Sequence, residues 1–205
     1  MGGAVEKMWF ILGQKFSARG HEVTHISKRW KNLPDEELIQ DVKHVRVLGY
    51  NTPSNLFFLK LLDAFYTLRT IKAISNDTDI IITNTFWAPI FFPIIMRGKV
   101  YVDVARMPKG QMRFYKKAHF RANSTSVAKA IQDELPLNCH HRISIVPNPL
   151  PYEVKSSDLS ELNNKSRYIL FCGRIHPEKG LNLLVETVNA LPNGWTVKIV
   201  GPWKP

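Results

Sequence analysis

Short apolar runs alternate with helical patterns along the whole chain, and this alternation restricts the fold more than any other feature. "DIIIT" (79–83) is apolar throughout, as expected of a strand covered on both faces. "EVTHIS" (22–27), "HVRVLG" (44–49), "KVYVDVA" (99–105), "FRANS" (120–124), "ISIVP" (143–147), "RYILFCG" (167–173) and "TVKIVG" (196–201) read as further strands. Between them, Val5, Met8, Trp9, Leu12 and Phe16 recur at helical spacing, which predicts a helix over 4–19 ended by Gly20. Ser54 is the expected cap of a helix reaching Ser75, with Leu56, Leu59, Phe65, Leu68 and Ile71 on one face. "TSVAKAIQDEL" (125–135) and residues 181–190 read as two more helices. Strands followed by helices predict parallel-sheet α/β units.

The texture changes once. "PNPLPYEVKSSDLSELNNKS" (147–166) has three prolines, many serines and asparagines, and little that could form a core. It reads as a linker. The chain therefore divides into a Rossmann-like unit at 1–148, a linker at 149–166, and the start of a second Rossmann-like unit at 167–205. The first helix is preceded by a glycine pair and no strand, and the second unit holds two strands and one helix. The expectation is an α/β pair of domains truncated at both ends.

Composition narrows the partners. With 44% apolar residues the chain can build a core, and its net charge of +11 favours nucleic acid, anionic lipid or phosphorylated small molecules. Two cysteines, Cys139 and Cys172, make no disulfide framework, which fits a reducing, cytoplasmic setting; Cys172 reads as a core residue of its strand. Cys139, His140 and His141 are consecutive and cannot easily converge on one ion, so no metal is expected. The longest apolar run, "FWAPIFFPIIM" (86–96), is too short to cross a bilayer and holds two prolines. "SKRWK" (27–31) and "RFYKKAHFR" (113–121) interleave aromatic and basic residues, as in a peripheral anionic-membrane contact or a solvated basic surface. Without an RNA-binding motif beside them, nucleic acid is not the expected partner.

"FCGRIHPEKG" (171–180) is the most specific stretch. A strand runs into Gly173; Arg174 and Lys179 follow on the loop, then Gly180 and a helical pattern. Ligands of open α/β sheets bind beyond the carboxyl ends of strands. Arginine donates two parallel hydrogen bonds to phosphate, and a helix N-terminus adds N–H groups and partial positive charge. A diphosphate is the ligand such a loop suits. The plainer reading is a solvated loop whose cations balance Glu178.

This stretch resembles the G-R-x-x-x-x-K-G signature of GT-B glycosyltransferases, specifically the retaining family 4. "GGAVEKMWFILGQKFSARGHEVTHIS", "DIIITNT", "ANSTSVAKAI" and "ISIVPNPLP" resemble, in order, that family's first loop and helix, a strand before the acceptor cleft, a serine-capped helix, and the I-P-N segment leading to the interdomain linker. The resemblance implies a GT-B fold and retaining sugar transfer from a nucleotide-sugar donor to a glycan or lipid-linked acceptor. Neither metal nor other cofactor is implied. It implies that Gly173, Arg174 and Lys179 hold the donor diphosphate, while Gly2 and Gly3 form a loop toward phosphates and acceptor. For that glycine pair a plain helix start is the alternative. Many members carry a histidine after the strand that is "KVYVDVA" here. This chain has Asp103, then Arg106 and "MPKGQ", so the catalytic residues are unassigned, and Arg106 and Lys109 are candidate contacts for an anionic acceptor. The family's glutamate pair falls beyond Pro205, so the chain alone is expected to be inactive. The alternatives are a non-catalytic GT-B-like binding module and a GT-B sugar-nucleotide epimerase.

Overall fold

A computed structural model describes residues 4–149 and 167–202. The chain falls into two compact units, Met1–Pro151 and Tyr152–Pro205.

The first unit is mixed α/β. Its elements are α1 (Ala4–Ser17), β1 (Val23–Lys28), β2 (Glu36–Ile39), β3 (Val42–Val47), α2 (Leu56–Ile71), β4 (Ile80–Thr83), α3 (Ala88–Ile95), β5 (Lys99–Val104), β6 (His119–Ala122), α4 (Thr125–Glu134) and β7 (Ile143–Ile145). β4, β5, β6 and β7 form a fully parallel sheet in that order. A smaller sheet has the order β1-β3-β2, with β1 parallel and β2 antiparallel to β3. β1 ends one sheet and β4 ends the other, so each has an edge without a ladder partner among the described residues.

The main core lies between β5, β6 and α4. Val102, Val104, Phe120 and Ala122 alternate with the pleat to meet Val127, Ala128 and Ile131 at helical spacing. Cys139 packs at its edge. Ser124 caps α4 by accepting from the Val127 N–H at 3.3 Å, as its position in the sequence suggests. A second cluster joins Ile81, Val100, Ala88 and Phe92.

Several expectations are corrected. The antiparallel β2 is absent from the sequence reading: its turn puts Gln40 and Asp41 at φ 48° and 60° without a glycine, so the usual hairpin signal is missing. α3 is a helix where only an apolar run was read. It tolerates Pro89 in its first turn and carries Pro93 inside eight residues, because Phe92 and Ala88 are packed against the sheet. The cap of α2 is Asn55, not Ser54: its Oδ1 accepts from the N–H groups of Phe57 at 2.8 Å and Phe58 at 3.4 Å. Only part of the expected apolar face of α2 reaches the core: Ile71 packs on the second cluster and Leu59 is half-buried. Leu56, Phe65 and Leu68 are exposed (74%, 48% and 48%), whereas Thr67 and Thr70 are buried.

The second unit contains β8 (Tyr168–Cys172), α5 (Leu181–Thr187) and β9 (Thr196–Val200). β8 and β9 pair in parallel, with Cys172 opposite Val200. Cys172 is exposed and free, against the expectation of a core residue, because a two-stranded sheet covers too little of either face to bury it. Among the described residues no helix is long and apolar enough to cross a membrane.

Candidate functional site

The loop of the second unit leaves the carboxyl end of β8. The Gly173 N–H donates to the Val200 carbonyl at 2.9 Å, extending the ladder by one bond beyond Cys172. A Cβ on Gly201 would stand 1.8 Å from the Gly173 carbonyl oxygen, so the two strand ends meet backbone to backbone. The same test at Gly173 meets only the Phe171 ring at 3.9 Å, and Gly173 has no positive φ. The residue that must be glycine for the fold here is therefore Gly201. Both strands end on a glycine in the sequence, "FCG" and "IVG", and that repeated ending was the available signal.

Beyond Gly173 the chain turns through a short 3-10 helix, Pro177–Lys179, and Gly180 at φ 66°. His176 caps this turn, its Nδ1 accepting from the Glu178 N–H at 3.3 Å and lying 3.7 Å from the Glu178 carboxylate. While Nδ1 accepts that bond it has no proton for the carboxylate, so Glu178 lies beside His176 without bonding to it. Among the described residues neither Arg174 nor Lys179 has a carboxylate partner, and both are exposed. α5 has only seven residues and no side-chain cap at Gly180; the N–H groups of Lys179 and Gly180, just before it, are donated to His176 and Pro177 within the turn. A short helix contributes little dipole, so the anion-binding capacity of the loop rests on its two side chains. Gly2 and Gly3 lie outside the described residues.

In the first unit the carboxyl ends of β5 and β6 carry a buried charge network that the sequence reading did not assemble. Asp103 and Arg121 are register partners on adjacent strands. Arg121 Nη1 donates to Asp103 Oδ1 at 2.6 Å, and Nη2 donates to Asn148 Oδ1 at 2.8 Å. The Trp9 indole of α1 donates to Asp103 Oδ2 at 2.8 Å. One ion pair thus joins α1, two strands and the segment after β7. The pattern in the sequence was a lone acid on one buried strand and a lone base on the next. Arg121 belongs to the basic stretch 113–121 but is only 9% exposed: its alternation with Phe120 and Ala122 turns it to the other face of the sheet, where Met8 and Trp9 of α1 lie against the Arg121–Asp103 pair.

Arg106 and Lys109 follow β5 and are exposed; neither makes a side-chain hydrogen bond or ion pair among the described residues. Their loop is held by Glu134, whose carboxylate accepts from the N–H groups of Gly110 at 2.6 Å and Met112 at 2.9 Å. They remain free to meet an anion.

The two basic stretches are partly consumed inside the fold. Lys28 donates to the Tyr50 carbonyl at 2.6 Å, and Arg29 pairs with Asp35 at 2.6 Å. In the second stretch Tyr115 and Phe120 are core, and His119 stacks on Tyr101 at 4.9 Å. Burial lowers the His119 pKa, and Arg142, Lys99 and His141 lower it further. Arg113, Phe114, Lys116 and Lys117 stay exposed.

A depression of about 410 Å³ is lined by Glu22, Glu36, Glu37, Asp41, Lys43 and neighbours at the amino end of β1 and β3. Its acids repel phosphate, and Glu36 and Glu37 are already paired with Lys43 and Arg46. The carboxyl ends of the strands carry the better chemistry. Among the described residues no group of three or more His, Cys, Asp or Glu is placed to hold a metal. No protein-family model matches the chain, and no curated protein matches it.

Proposed function

We propose that the chain is a glycosyltransferase, or a fragment of one, of the GT-B retaining family 4 type, acting from a nucleotide-sugar donor on a glycan or lipid-linked acceptor. The observation that carries the reading is the loop Gly173–Gly180. It follows the carboxyl end of a parallel strand, its backbone is tied to the neighbouring strand end, and its two cations are directed at no carboxylate among the described residues. A diphosphate bound there would take a bidentate contact from Arg174 and a point charge from Lys179. When the sugar bond breaks, negative charge grows on that diphosphate, and fixed cations stabilise it. Arg106 and Lys109, on a loop braced by Glu134, are the groups of the first unit available to an anionic acceptor.

The experiment is calorimetric titration of the protein with uridine, guanosine and adenosine diphosphates. At least one should bind, and Arg174→Ala and Lys179→Ala should each weaken it by roughly 1.5–3 kcal/mol, the scale of a charged hydrogen bond. Equal affinity in both variants rejects the diphosphate site. Product analysis with a panel of nucleotide sugars then separates transfer from epimerisation and from binding alone.

A further inference from the structure

The helix α2 is turned with its apolar stripe outward. Phe58, Leu61, Phe65 and Leu68 recur at three- and four-residue spacing, and all four are exposed, as is Phe57 beside them. The opposite side of the helix is mixed, with Leu59, Leu62, Tyr66 and Ile71 half-buried and Ile71 packed on the second core cluster. It buries Thr67 and Thr70, and Asp63 accepts from the Phe86 N–H at 3.3 Å. Thr67 Oγ1 is buried with no partner among the described residues. Among the described residues nothing packs on the outward stripe, yet a run of large apolar residues in water is costly.

The border of the stripe is cationic. Lys60 lies 4.9 Å over the Phe86 ring, and Phe86 is 6.4 Å from Phe114, over which Arg113 sits at 5.3 Å. Lys72 closes the helix, and Lys116 and Lys117 follow Phe114 within three residues in the chain; all three lysines are exposed. Asp63, the one carboxylate within α2, is turned inward.

We infer that the outward face of α2, bordered by the 113–117 loop, docks on the surface of an anionic lipid bilayer. Phe57, Phe58, Leu61, Phe65 and Leu68 enter the headgroup boundary, while the lysines and Arg113 meet lipid phosphates. Charge decides against a second copy of the chain. A two-fold contact through this face would bring the cationic borders of two copies together in a protein already at +11. A bilayer of opposite sign has no such cost. The inference does not depend on the diphosphate reading.

The test is co-sedimentation of the full chain with vesicles containing about one third phosphatidylglycerol, compared with neutral phosphatidylcholine vesicles. Wild type should bind the anionic vesicles and release as salt rises past about 0.15 M. Phe58→Ser with Phe65→Ser should weaken binding roughly tenfold or more, since these rings supply much of the apolar contact. Both side chains are exposed, so circular dichroism should show the fold unchanged. Lys60→Glu with Lys116→Glu and Lys117→Glu should abolish the preference for anionic lipid. Binding unaffected by the phenylalanine pair overturns the proposal. So does a dimer, seen by light scattering, that those same substitutions dissociate.

Discussion

Asp103 and Arg121 face each other across adjacent parallel strands with Nη1 and Oδ1 2.6 Å apart, and both are almost excluded from solvent. Each charge has further partners: Trp9 on the acid and Asn148 on the base. Removing one partner leaves the other charged and buried. Arg121→Leu should destabilise the protein by about 3–5 kcal/mol in urea denaturation. The double variant Asp103→Leu with Arg121→Leu should recover most of that loss. A double variant no more stable than the single one would show that Trp9 and Asn148, rather than the pair, hold this end of the sheet.

Acid should weaken the first unit through two histidines. His25 and His44 are register partners on β1 and β3, with ring centroids 5.0 Å apart. Burial lowers both pKa values. His44 lowers that of His25 further, and Arg46 lowers that of His44 against a smaller opposing effect of Glu37. Both rings therefore resist protonation when folded, whereas the unfolded chain takes up protons near its ordinary value of about 6.5. The unfolded state binds more protons below that value, so stability is full above it and is lost as pH falls toward the lowered folded values. His44→Phe should make this acid slope shallower, by up to about 1.4 kcal/mol per pH unit. Chemical denaturation at several pH values measures it; an unchanged slope would assign the acid sensitivity elsewhere.

Two glycines in the second unit should behave oppositely. Gly201→Ala forces a Cβ to within 1.8 Å of the Gly173 carbonyl oxygen. It should cost on the order of 2–4 kcal/mol and speed hydrogen exchange at the Gly173 amide. Gly173→Ala meets no such obstacle and should fold normally. A loss of diphosphate binding in that folded variant would mark Gly173 as a point of close ligand approach.

The two cations of the loop should also differ from each other. Arg174→Lys keeps the charge and loses the planar fork, so nucleoside diphosphate binding should weaken roughly tenfold. Lys179→Arg should stay within about threefold of wild type, since a point charge is easier to replace. Similar losses in both would mean that charge alone is recognised.

Much of the architecture was legible because it rests on local pattern. β4 is an end strand of its sheet with Ile80 and Ile82 57% and 41% exposed, not the strand covered on both faces that "DIIIT" suggests. Its apolar run, those of β5 and β7 and the spacing in α1 and α4 nevertheless announced themselves, since burial on a pleat or a helical face imposes a period on the sequence. So did the loop Gly173–Gly180, whose glycines and cations are contiguous in the chain. Tertiary structure decided the rest. The Asp103–Arg121 pair joins positions 18 residues apart through strand register, which no single run of residues records. The close contact of Gly201 with Gly173 exists only once β9 lies beside β8. The orientation of α2 is the sharpest case. Its sequence shows an apolar stripe but not which way that stripe faces, because the direction depends on what the sheet leaves uncovered. Here Thr67 and Thr70 turn inward and Phe65 and Leu68 turn to solvent.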